Sequence, residues 1–177
     1  MGQPSEAERV RSYLITQANK LTLSELVAKV RADTAPLQEV AASVPAKQFF
    51  DRPEPTEWSS AEVYTHILDM NDRGAAAIRG ILDSGSIPAT INDVMTGSTR
   101  EGLKAAEDYW ATYQAVRESL LARVLEARGD EHLDAKITHA TFGDFSWREW
   151  LLFIRVHDLD HMRQLEKNAA HFKALAG

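Results

Sequence analysis

His157 and His161, in the run Val156-His-Asp-Leu-Asp-His-Met162, stand four residues apart. On a helix that spacing stacks two side chains on one face, so both imidazoles reach toward one point. Neutral imidazoles converging from one side commonly hold a transition metal. A third histidine, His66, follows Ser59 by seven residues, while His157 and His161 follow Ser146 by eleven and fifteen. These offsets differ by multiples of four, so if each serine starts a helix, the three rings share nearly one helical phase. Three nitrogen donors leave coordination positions open for water or substrate, the pattern of a reactive rather than a structural metal. Imidazole suits Zn, Ni, Fe or Cu alike, so the residues do not choose among them. Asp69, Asp158 and Asn71 are close enough in sequence to orient the rings from behind. The competing reading is three buried histidines satisfied by hydrogen bonds alone. His132, His139 and His171 fall in loops or near a terminus and are expected at the surface.

The elements that must aim these rings are helices throughout. Ser5 to Ala18 reads as a short extra N-terminal helix, with Val10, Tyr13, Leu14 and Gln17 on one face. Thr22-Leu-Ser-Glu25 is a capping box, in which hydroxyl and carboxylate satisfy free backbone N–H groups. It opens a helix to about Ser43 with the stripe Leu26, Val30, Leu37, Val40 and Val44. Ser59-Ser-Ala-Glu62 opens a second, to about Ser84, whose stripe of Val63, Ile67, Met70, Gly74, Ala77, Ile78 and Ile81 brackets His66. Ser98-Thr-Arg-Glu101 opens a third, to about Arg128, with Trp110, Tyr113 and Arg117 on or beside its inward side. Those three either line a pocket or form aromatic core with a snorkelling arginine. Ser146-Trp-Arg-Glu149 opens a fourth, to about Phe172, with Trp147, Trp150, Ile154, His157, His161, Leu165, Asn168 and Phe172 facing inward. Residues 85–97 form a long connection that is either a lid or an ordinary surface loop. A short extended piece is expected around residues 136–141.

Four capped amphipathic helices make an all-α four-helix bundle. The chain divides into an N-terminal extension over 1–19 and the bundle domain over 20–177. At 177 residues, 44% hydrophobic and 26% charged, it suits one well-buried globular core. A net charge of −6 without a basic block speaks against nucleic acid. Apolar runs stop well short of the ~20 residues of a membrane span, and the first residues lack an apolar signal core, so a cytoplasmic protein is expected. There is no cysteine. Disulfides, thiolate ligands and a cysteine nucleophile are excluded, and any thiol chemistry needs a thiol from outside.

The segments Glu57-Trp-Ser-Ser-Ala-Glu-Val-Tyr-Thr-His66 and Ser146-Trp-Arg-Glu-Trp150, then His157-Asp-Leu-Asp-His161 and Gln164, resemble the DinB-like superfamily in order and spacing. The resemblance covers residues 20 to 172 or so. It implies a bundle with up-down-down-up connectivity, a divalent metal on His66, His157 and His161, and homodimers. It also implies thiol-dependent S-transferase-type chemistry on a small molecule: a low-molecular-weight thiol, deprotonated at the metal (Zn, Ni or Fe), attacks an electrophile. The alternatives are a metal-dependent hydrolase and a non-catalytic metal- or ligand-binding stress-response bundle.

Overall fold

A computed structural model describes residues 5–176. The chain is mostly helical: α1 (Glu6–Lys20), α2 (Leu23–Thr34), α3 (Leu37–Ala42), α4 (Ser60–Ser84) and α5 (Ala106–Leu125) precede a hairpin of β1 (Ile137–His139) and β2 (Gly143–Phe145), then α6 (Trp147–Ala176). Ser5, Thr22 and Ser59 cap α1, α2 and α4 in reciprocal boxes with Glu8, Glu25 and Glu62. At α6 the Ser146 backbone N–H donates to the Glu149 carboxylate at 2.7 Å. Gly85 ends α4 at φ 66°, in the left-handed region where a Cβ is disfavoured.

Two expected helix boundaries are corrected. The helix expected from Thr22 to Ser43 is broken, because Pro36 lacks an N–H and its ring clashes with the carbonyl four residues back. The chain stops α2 at Thr34 and restarts as α3. The box at Ser98 to Glu101 starts no helix. Gly102 takes φ 86° and ends any helical run there, and the Arg100 guanidinium turns instead to the Asp72 carboxylate. Helix α5 begins later, where the Asp108 carboxylate accepts from the backbone N–H groups of Lys104 and Ala105 at 2.8 and 3.1 Å. The extended piece near residue 136 is real, and β2 is the partner it needs, with Ile137 opposite Phe145.

Helices α4 and α6 pack along each other at the centre, with α5 against α4 and α1, α2 and α3 against α6. The close approach is made at Gly74, where a Cβ would meet Ile154 Cδ1 at 2.4 Å. Along α6 the burial falls into two apolar stretches. Trp147, Trp150 and Ile154 join the cluster containing Leu14, Leu26, Ile78 and Ile81. Leu165, Ala169 and Phe172 join a second cluster containing Phe49, Tyr64, Tyr109 and Tyr113. Between them sits a buried polar layer of Asn71, Arg117, His157, Asp158 and His161. Helix α1 is tied into the core by Leu14 and Ala18, and Arg148 of α6 donates to the carbonyls of Ala18 and Leu21. Among the described residues no helix is long and apolar enough to cross a membrane.

Candidate metal centre

The phase argument predicts that three rings from two helices meet, and they do. His66, His157 and His161 are 4, 8 and 8% exposed, and one nitrogen from each lies within 4.8 Å of the others. Ring centroids are 4.9 Å apart for His66 and His157, 4.5 Å for His66 and His161, and 4.4 Å for His157 and His161. The Nε2 atoms of His66 and His157 stand 3.0 Å apart. That is the reach of an N–H···N hydrogen bond, and it is also close to the separation of about 3.3 Å between two ligands of one tetrahedral zinc ion.

The groups behind the rings fix which nitrogens face inward. His66 Nδ1 lies 3.2 Å from the Val94 carbonyl, which can only accept, so that nitrogen carries the proton and Nε2 a bare lone pair. His161 Nδ1 is 2.9 Å from Gln164 Oε1, giving the same tautomer. His157 Nδ1 faces Asp158 Oδ1 at 3.6 Å. With the proton there, three lone pairs converge and repel unless a cation lies among them. With the proton on Nε2 instead, that N–H donates to His66 Nε2 at 3.0 Å and Nδ1 is left buried without a hydrogen-bond partner. A proton is a poor cation for the site, because burial, then repulsion from His157 and His161, pushes the His66 imidazole down to about 4. Burial and His157 also lower His161. The donor set therefore fits a divalent transition ion.

Behind His157 the Asp158 carboxylate is fully engaged. Asn71 Nδ2 donates to Oδ1 at 2.8 Å, the Tyr113 hydroxyl to Oδ2 at 2.8 Å, and the Arg117 guanidinium closes a buried ion pair on Oδ2. Asp158 and Asn71 thus stand where the sequence suggested orienting groups. The third candidate, Asp69, has only a backbone role, its carbonyl accepting from Arg73 Nε. Tyr113 and Arg117 are core, at 1 and 3% exposure, with Trp110 stacked on Tyr113. They do not line the cleft over the histidines, and border instead a separate depression of ≈ 190 Å³ beside Arg31 and Thr34.

That cleft has a volume of ≈ 520 Å³ and is walled by Val10 of α1, Phe142, Phe153, Val156 and Leu159, with Met95 at its rim. Asp160 and Arg163 stand at the mouth. A smaller depression of ≈ 180 Å³ shares Met95 and Gln164 but contains no imidazole, so the larger cleft is the one with chemistry. The loop after α4 is pinned rather than loose. Ile91 N–H donates to the Thr138 carbonyl at 3.0 Å, and Arg73 Nη1 donates to the Asn92 carbonyl at 2.7 Å. His139 corrects a further expectation: it is 2% exposed, packed among Phe142, Trp150 and Phe153. Its Nδ1 accepts from the Thr141 and Phe142 backbone at 3.1 and 3.4 Å. Sequence reasoning missed Asp93, whose carboxylate lies between His139 and His157.

A helical domain with three histidines meeting under an apolar cleft defines a candidate helical metalloprotein. The DinB superfamily profile matches residues 8–165, and the chain belongs to that family. No curated protein matches it.

Proposed function

We propose that the chain is a metal-dependent enzyme acting on a small apolar molecule by thiol-dependent S-transferase-type chemistry, with His66, His157 and His161 as ligands of a divalent transition ion. The observation that carries this reading is the meeting of three imidazole nitrogens, all within 4.8 Å of one another, at a cleft whose further walls are largely apolar. A divalent ion bound there supplies a Lewis acid that lowers the pKa of a thiol or water beside it. Because the chain has no cysteine, the thiol comes from solution. Val94 and Gln164 hold the outward nitrogens of His66 and His161 and so turn their Nε2 atoms inward, while Asp158 stands 3.6 Å behind His157 Nδ1. Val10, Phe142, Phe153 and Val156 shield an apolar acceptor from water. The reading includes an up-down-down-up order of the four helical segments and pairing of two copies, both taken from the family resemblance alone.

The test is elemental analysis of protein purified without an immobilised-metal column, for wild type and His161→Ala, followed by turnover with a panel of thiols and electrophiles. Stoichiometric metal lost in the variant, with turnover abolished by chelator and restored by a divalent ion, supports the reading. Equal metal in both proteins removes the ligand assignment. Metal with no turnover across the panel leaves a binder rather than an enzyme.

A further inference from the structure

We propose that Asp93 is a fourth protein ligand of the three-histidine centre and that His139 is its positioning residue. This rests on the metal reading above and adds a residue outside the two long helices. Both backbone N–H groups that meet His139 Nδ1 are donors, so Nδ1 is the bare nitrogen and Nε2 carries the proton. That N–H is buried and without a hydrogen bond, and the one carboxylate facing it is Asp93, with Oδ2 at 3.5 Å. His139 therefore turns Oδ2 toward itself and leaves Oδ1 to the other side.

On that side Oδ1 lies 3.8 Å from His157 Nε2. A carboxylate oxygen and a candidate ligand nitrogen then border one cleft, and a cation held by the histidines draws Oδ1 inward from its place just outside the group of three rings. Asp93 is well placed to stay there, because the backbone is fixed on both sides of it. Ile91 and Asn92 are bonded to the hairpin and to Arg73, and the Val94 carbonyl takes the His66 Nδ1 proton. One stretch of loop thus orients the His66 ring and supplies the anion. The side chain is 32% exposed where it borders the cleft, so substrate still reaches an ion that takes more than four ligands.

The experiment titrates metal-stripped wild type, Asp93→Asn, Asp93→Ala, His139→Phe and His139→Gln with Co²⁺ against a chromophoric chelator, and records the visible d–d spectrum of each complex. Expected are a dissociation constant raised about 10- to 100-fold in both Asp93 variants, and a d–d spectrum changed in intensity and position. His139→Phe keeps the aromatic packing but loses the donor, and weakens Co²⁺ in the same direction. His139→Gln, which restores an N–H at that reach, recovers most of the loss. Wild-type affinity in both Asp93 variants overturns the proposal while leaving the histidine site standing. Weakened binding with an unchanged spectrum also overturns it, because the carboxylate then acts from outside the coordination sphere. No Co²⁺ binding by wild type removes the metal reading itself.

Discussion

Replacing Asp158 by Asn separates what the buried polar layer does for the fold from what it does for the site. Asp158 and Arg117 have side chains 1 and 3% exposed, and the guanidinium meets Asp158 and Tyr113 through Nη2 while its Nε and Nη1 have no hydrogen-bond partner. Removing the carboxylate charge strands a guanidinium in a low-dielectric interior, a loss of about 3–5 kcal/mol. Removing both charges, in Asp158→Asn with Arg117→Met, avoids that penalty, and the double variant is expected within about 1.5 kcal/mol of wild type. The Asn oxygen still accepts from Tyr113, and its amide N–H is accepted by Asn71 once that side chain turns its oxygen round. The ion behaves differently. His157 loses its carboxylate in both proteins, and metal affinity falls about 10- to 100-fold in each. Urea unfolding of the metal-stripped proteins near neutral pH gives the first quantity, and chelator competition the second. A single variant that loses under about 1 kcal/mol contradicts the burial of the pair. If ion affinity recovers together with stability in the double variant, Asp158 acts on the site only through folding.

Three further outcomes are expected. Gly74→Ala places a methyl 2.4 Å from Ile154 Cδ1 and 2.9 Å from Trp150 Nε1, and should destabilise by about 1–3 kcal/mol in thermal unfolding; an unchanged midpoint means that α4 and α6 are not so close. For the metal-stripped protein, the unfolded state binds a proton at His66 near 6.5, whereas the folded state resists until about 4. Stability is therefore complete above about 6.5 and is lost as pH falls through that window, and His66→Leu should flatten the slope of unfolding free energy against pH. Val10→Trp should narrow the cleft and weaken binding of apolar acceptors while metal content stays at the wild-type level, since Val10 is a wall and no ligand; equal acceptor affinity in both proteins would take α1 out of the substrate site.

The three histidines were legible because a helix converts spacing into direction, and each helix is started by a box whose phase can be counted from its serine. Apolar stripes gave the inward faces of α4 and α6 for the same reason, down to Gly74 and Asn168. Asp93 and His139 were not legible. Both lie in segments without helical period, and they meet through a parallel bridge between Ile91 and His139 that no local signal announces. The false start at Ser98 shows how a cap signature fails when a tertiary ion pair and a left-handed glycine compete for the same residues. Pro36 was visible throughout, but the stripe running past it on both sides hid the break. Burial of His139 depends on an aromatic cluster drawn from the hairpin and α6, which is a property of packing rather than of order along the chain.

The carbonyl of Val94 sets the tautomer of a ring that belongs to a different element. If that stretch swings away, His66 is free to shuttle its proton inward and give up its grip. On the metal reading proposed above, loading of the site is then coupled to the order of residues 91–94. Amide hydrogen exchange there should slow sharply on loading, and exchange indifferent to loading would uncouple the two.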